Sequence, residues 1–585
     1  MLIFSSIEHV PTNYFDKMIK YAFLILTTMV LFSCGQKHSP AEMIISGGKI
    51  YTMDVTNPSV EAVAVTAGKI LFAGPASEVE KYKGEATQII DLKGNTMTPG
   101  FIESHGHFMG LGYNEIELDL MDTKSWDEIV ARVKAAAENA QPGEWIIGRG
   151  WHQDKWDKKP EKMVKGFQTH QLLSEASPDN PVFLQHASGH AGFANAKAMQ
   201  IAGVNQMSIE KMAKDLGEGG EVIRDELGNP TGLFNERAQG LIYQHVPENT
   251  EETDARAFTL AMDACAREGI TSFHDAGASR KEIELFKKFR HENNMKTRLY
   301  VMITGRDPEL VYEWMRKGPE IDSTNFLTIR SIKLNCDGAL GSRGAWLLEP
   351  YSDRPDWYGM PTLSMDTVLS VSKNALKAGF QVCSHAIGDR ANREILDRYE
   401  IAFNENQDAA NDHRFRIEHA QHVHPDDILR FAKMNVIAAM QGIHLSSDRP
   451  WAIDRLGEKR IVEETYVWQD FLKSGAMIIN GSDVPVEPIS PVASFYASVT
   501  RRTLDGRPEG GYEPNQKMTR EQALRSYTLD AAYGAFQEKD LGSIEVGKAA
   551  DFTVFTQDLM TVEEDKLLDT EIAKTIVNGK IVYEK

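Results

Sequence analysis

The chain has 585 residues, 42% hydrophobic and 25% charged, with a net charge of −20. That composition builds a large soluble core, and the length exceeds one ordinary domain, although barrel enzymes hold roughly 250 residues or more together. The acidic balance argues against a nucleic-acid binder, whose affinity depends on Lys and Arg neutralising phosphates, and no Gly-rich phosphate loop of the GxxxxGK[ST] kind occurs.

The N-terminus reads as an address. Lys17 and Lys20 precede the apolar run YAFLILTTMVLF, Tyr21 to Phe32, which Ser33-Cys34-Gly35 follows. A basic segment, a short apolar stretch and a small-residue cleavage site make a secretory signal; a membrane span needs about 20 apolar residues. Leu31-Phe32-Ser33-Cys34 resembles the bacterial lipobox, in which cleavage precedes the Cys and lipid is attached to it. Residues 1–33 are then expected to be removed, with Cys34 lipidated and residues 34–41 forming a tether. The residues before Met18 read as an over-long start, because Met18-Ile19-Lys20 opens a conventional signal. The alternative is an uncleaved signal anchor. The expected location is the periplasmic or cell-surface face of a bacterial membrane, and the lack of Asp after Cys34 leans toward the outer one. The other cysteines, Cys265, Cys336 and Cys383, lie in or beside apolar segments and show no CxxC spacing, so neither a zinc knuckle nor a disulfide framework is indicated.

From residue 42 to 97 short alternating runs separated by Gly-Gly, Ala-Gly and Lys-Gly turns predict β-strands, and residues 536–585 read the same way. Two such ends are expected to pair into a small β-sandwich. Between them, short apolar runs alternate with amphipathic helices such as VLSVSKNALKAG and HPDDILRFAKM, the signature of a parallel sheet. Eight strands are predicted: Thr98–His107, Ile270–Asp275, Lys296–Ile303, Thr328–Asn335, Gln381–Ala386, Arg414–His419, Asn435–Gln441 and Ala476–Asp483. Eight fit an α/β fold of the closed (β/α)8 TIM-barrel type, with the first strand in residues 98–110 and the remainder in 246–535. Residues 111–245 are too long for an ordinary connection and predict an inserted lobe over the C-terminal rim, where barrel active sites lie.

Five of the strands carry metal-binding residue types at or near those ends. The first ends His105-Gly106-His107, and i, i+2 spacing puts both imidazoles on one face. Lys333 lies in the fourth, His385 ends the fifth, His419 the sixth and Asp483 the eighth. A lone His-x-His is weak, and a single strand-end histidine is more often a satisfied core residue. The ordered set is what points to a site.

TPGFIESHGH together with Lys333, His385, His419 and Asp483 resembles the metal-dependent amidohydrolase superfamily. GRGWHQDKW at Gly148–Trp156, HASGHAGFANAKAM near His186, NPTGLFNERA near Glu236 and KLNCDGALGSRGAW at Lys333–Trp346 are similar to its family-3 branch, which includes YtcJ-like hydrolases and N-substituted formamide deformylases. The resemblance implies one divalent metal held by His105, His107 and Asp483 and a second held by His385 and His419, with zinc as the expected ion. Lys333, carboxylated on its ε-nitrogen, would bridge them; a snorkelling or salt-bridged lysine is the alternative. Two such metals lower the pKa of a water and polarise a carbonyl, with Asp483 as catalytic general base.

Candidate substrate contacts are His186 and His190 in the lobe, Asp337, which could instead stand behind a metal ligand, Arg343 as a carboxylate clamp, and Gln441 with His444 after the seventh strand. For the lobe residues a purely local role at a helix start stands equally open, and Trp151 and Trp156 are more readily packing than pocket. The expected reaction is hydrolysis of an amide or N-substituted-formamide-like, non-peptide C–N bond in a small molecule. Alternatives are a cyclic imide, lactone, ester or deaminable heterocycle, or a non-catalytic binding lipoprotein. No membrane contact beyond the lipid anchor is expected, and assembly into a homo-oligomer stays open.

Overall fold

The computed structural model describes residues 39–204 and 220–585. The signal segment, Cys34 and most of the tether lie outside the described residues.

The two chain ends meet in one mixed eight-stranded sheet folded around its own core, which includes Met43, Ile45, Val63, Phe552 and Ile576. The join between them is Thr96–Pro99, parallel to Met43–Tyr51 on one side and antiparallel to Phe552–Phe555 on the other.

Eight parallel strands then follow in strict chain order: Phe101–Gly106, Ile270–Ala278, Arg298–Thr304, Leu327–Asn335, Gln381–Ala386, Arg416–His419, Ile437–Met440 and Ile478–Asn480. Helices between them carry ordinary stop and start signals. Ser279 and Glu282 form a capping box at the start of Arg280–His291, and Gly379, with φ 78°, ends Met365–Ala378 in the left-handed conformation that a side chain resists. The eighth strand returns beside the first. The amide of Asp483 donates to the carbonyl of His105 and that of His107 to Val484, each 2.7 Å, so the ring is drawn together at its C-terminal end.

One expected strand divides. Thr98–His107 does not run unbroken, because Thr96–Pro99 serves the end sheet and Phe101–Gly106 the barrel. Gly100 is the joint, and a Cβ there would lie 2.1–2.7 Å from the Thr271 side chain, so no larger residue passes between the two sheets.

The insertion is a lobe with its own six-stranded mixed sheet, running from Leu118–Asp119 to Pro230–Glu236. Trp126, Trp151, Trp156 and Phe193 pack its core, which makes Trp151 and Trp156 structural residues.

Candidate metal centre and active site

All five expected ligand-bearing strands end at one mouth. Their imidazoles form a row: His107 to His105, His105 to His419 and His419 to His385 have ring centroids 5.9, 4.7 and 4.5 Å apart. Asp483 closes the His107 end, with Oδ1 3.3 Å from His107 Nε2 and 3.5 Å from His105 Nε2. Its φ of 61° turns the carboxylate into the mouth immediately after the strand ends. His419, φ 75°, and Ala420, φ 42°, bend the sixth strand in the same left-handed sense. Such conformations are uncommon away from glycine and cluster at functional sites.

The ligand-type atoms are held by partners behind them. Glu418 accepts a hydrogen bond from His105 Nδ1 and is itself gripped by Arg416 at 2.7 and 2.9 Å. A carboxylate only accepts, so the proton sits on Nδ1 and the Nε2 lone pair faces the mouth. His419 Nδ1 donates to Gln441 Oε1 at 2.8 Å, and Gln441 Nε2 donates to Ala439 O at 3.0 Å, which fixes that amide the right way round. Glu103 accepts from the amides of His105 and Ser482 and from the Ser482 hydroxyl, tying the first strand to the segment that carries Asp483.

Burial keeps the His105, His385 and His419 imidazoles neutral. Burial first, then Lys333, lowers His105 to about 4; burial likewise lowers His385 and puts His419 well below its ordinary value. For Asp483 burial pushes upward, yet the facing ring nitrogens of His107, His105 and His419 together outweigh it and hold it well below the carboxylate range. Neutral imidazoles beside an ionised carboxylate are a donor set for a divalent cation. His105, His419 and Asp483 offer one ligand atom each, all within 4.8 Å of one another. His385 Nε2, His444 Nε2 and Asp483 Oδ1 are buried without a hydrogen-bond partner, and burying polar atoms unpaired is costly unless something binds them. The residues fit a metal.

Lys333 is 2% exposed, and its Nζ has His105 Nε2, 3.4 Å away, as its hydrogen-bond contact among the described residues. Burial lowers its pKa.

The substrate candidates divide. His444 Nε2 stands 4.0 Å from Asp483 Oδ2 with its ring stacked toward His419, and Gln441 serves His419. His190 reaches the far end of the row, its ring 6.2 Å from that of His385. Its Nδ1 is 3.0 Å from Glu236 Oε2, in the same lobe. His186 packs instead against Trp151 and His152 and bonds Ser188. Asn195 caps a helix. One expectation is corrected, that for Arg343, and for Asp337 the structure favours the role behind a ligand-type residue over substrate contact. Asp337 is not free to meet substrate: it is fully buried and accepts from the amides of Trp346, Ile387 and Gly388, with Oδ1 3.3 Å from His385 Nε2. Arg343 is not a free clamp, because it is ion-paired to Asp353 at 2.8 Å, which Arg455 also holds. Sequence reasoning missed Glu418, Arg416, Glu103 and Glu236. The first three carried a signal, since charged residues inside apolar barrel strands demand partners.

Residues 88–583 match the amidohydrolase family profile. The chain is 31% identical to the Protein LONG AFTER FAR-RED 3 of Arabidopsis thaliana, over 97% of this chain and 96% of that one. It is 32% identical to YtcJ of Bacillus subtilis (strain 168), an amidohydrolase by its name, over 92% and 99%. It is 26% identical to the N-substituted formamide deformylase of Arthrobacter pascens, over 93% and 98%. An uncharacterized metal-dependent hydrolase of Pyrococcus horikoshii OT3 superposes with a TM-score of 0.70 at 28% identity, covering 89% of this chain and 99% of that one.

Proposed function

The chain belongs to the amidohydrolase family, and from that premise we propose that it hydrolyses a non-peptide carbon–nitrogen bond, of amide or N-substituted formamide type, in a small molecule. The observation that carries this reading is the convergence of His105, His419 and Asp483, with buried unpaired donor atoms, at the mouth of the barrel. The similarity to an enzyme named for deformylating N-substituted formamides supports the choice of bond.

In this reading His105, His107 and Asp483 would hold one divalent cation and His385 and His419 a second, with zinc the ion that suits the set. Lys333, once carboxylated, would be a ligand shared between them; its burial favours the neutral amine that carboxylation requires. When bound there, such cations would supply Lewis acidity toward the carbonyl and a water that ionises near neutral pH. Asp483, ionised and at the His107 end of the row, takes the proton of the attacking water and passes it to the leaving nitrogen. Water adds to the carbonyl carbon, the C–N bond breaks, and a carboxylic acid and an amine leave. Glu418, Gln441 and Glu103 keep the imidazoles and the Asp483 segment in place throughout.

The test is a metal count by elemental analysis on protein purified without chelator, beside Lys333→Ala, followed by a panel of amides and formamides. About two ions in the parent, one or fewer in the variant, and release of amine from the panel are expected. One ion in both would take the bridge from Lys333. No metal after reconstitution with zinc and bicarbonate would sink the catalytic reading.

We propose further that the protein is exported and anchored by lipid on Cys34, on the strength of Lys17, Lys20, the apolar run and the Leu31–Cys34 motif. Metabolic labelling with a fatty acid, lost in Cys34→Ala, is the expected result; equal labelling would remove the anchor.

A further inference from the structure

The inserted lobe does more than roof the barrel. Resting on the hydrolase reading above, we propose that His190 is a catalytic residue that the lobe supplies, hydrogen-bonding the substrate's amide group at the His385 end of the row, and that Glu236 is its positioning residue.

The geometry is specific. Asp483 stands at one end of the row of imidazoles and His190 at the other, 6.2 Å from His385 between ring centroids. Glu236 can only accept, so His190 Nδ1 carries the proton shared between them and Nε2 is the ring atom left for a ligand. Nε2 has no hydrogen-bond partner among the described residues, and the side chain is about one-fifth open to solvent. A base oriented by a carboxylate on its other nitrogen is a recurrent arrangement for contact with a reacting group.

Glu236 is held at a cost that mere lobe packing would not require. Its φ of 49° with ψ of −125° lies where side chains are strained. Its amide donates to His190 O at 2.8 Å, so main chain and side chain both serve the same histidine. Its Oε1 is 3.5 Å from the Ser342 hydroxyl. A Cβ on Gly338 or Gly344 would come within 3.2 Å of that same oxygen, so the loop after the fourth barrel strand leaves room for the carboxylate. The dyad therefore crosses from lobe to barrel beside His385, and two loop glycines admit it.

The experiment compares the full-length zinc-loaded parent with His190→Gln and Glu236→Gln. Acetohydroxamic acid, a small cation ligand with an amide-like group, is titrated by calorimetry. Zinc content, melting temperature, kcat and KM on the best panel amide are measured alongside. Both variants are expected to keep parental zinc and melting temperature. His190→Gln should lower kcat/KM about 10²–10⁴-fold, the usual effect of removing a positioned base, and weaken the hydroxamate. Glu236→Gln should lower kcat about tenfold while KM stays near parental, a split that a packing role does not produce. Parental kcat/KM and hydroxamate affinity in His190→Gln would overturn the proposal. So would losses that track a fall in melting temperature and zinc, because the dyad would then be a docking contact. A parent that cleaves no amide defeats the hydrolase reading, and the hydroxamate titration alone then decides the role of His190. A parent that binds neither zinc nor hydroxamate defeats both.

Discussion

His105 and Glu418 sit on barrel strands separated by more than 300 residues, yet the Glu418 carboxylate accepts the proton of His105 Nδ1 while Arg416 holds it from behind. The contact sets which nitrogen of His105 faces the mouth. It also links the first strand to the sixth, where the next residue, His419, is another ligand-type imidazole.

Glu418→Gln is therefore expected to weaken metal binding about 10–100-fold, the usual penalty for losing a carboxylate behind a ligating histidine. Arg416, fully buried, is left without its counter-charge, and breaking such a pair costs about 3–5 kcal/mol. Chelator competition and urea melts check both. Parental zinc affinity would show that Glu418 does not tune the site.

Gly481→Ala is expected to fold but to lose metal. A Cβ at Gly481 would lie 2.2 Å from Glu103 Oε1 and 2.7 Å from the His105 amide, so Glu103 must swing away from the Ser482 segment that carries Asp483. Zinc content by elemental analysis, with far-UV circular dichroism as the folding control, decides the matter.

Removing metal should lower the melting temperature. A ligand that binds only the folded state adds about 4 kcal/mol at a thousand times its Kd, and the buried unpaired atoms of His385, His444 and Asp483 leave that stabilisation to be gained. A chelator should shift the unfolding curve down, and zinc in excess should restore it. Identical curves would count against a tight site.

His422 provides a pH signature away from the mouth. It is fully buried, bonds Thr465 Oγ1 at 2.9 Å, and burial followed by Arg460 lowers it to about 3. The unfolded chain takes up this proton near pH 6.5 and the folded chain only near 3, so the parent loses stability as pH falls through that window. His422→Gln removes the titration. Its stability deficit relative to the parent should be largest above pH 6.5 and narrow steadily on acidification, read from urea melts at several pH values. A constant gap would rule out the linkage.

Much of the fold was legible because its signals are local. A barrel strand is a short apolar run before a helix, so all eight were found within a few residues of their observed bounds. The ligand-type residues were legible for a related reason: a polar residue at a strand's C-terminal end is conspicuous against the apolar run behind it. The split at Gly100 was not, since only the approach of Thr271 from another strand shows why the chain must change sheets there.

Asp337 and Arg343 mark where sequence reading stopped. Both lie in a loop beside the site, and each residue type suits a substrate contact; the difference is made by what the fold brings to them. Three backbone amides occupy Asp337 and Asp353 occupies Arg343, whereas His190, equally ambiguous in sequence, arrives beside His385 with Glu236 behind it. The sequence by itself determined the eight-stranded barrel, the inserted lobe, the sheet joining the chain ends and which residue types stand at the strand ends, because periodicity and composition act over a few neighbours. Only the tertiary structure decided which polar groups are already satisfied and which are left open to a ligand, because hydrogen bonds are shared out between segments hundreds of residues apart and each donor or acceptor can be spent only on what lies within about 3 Å of it.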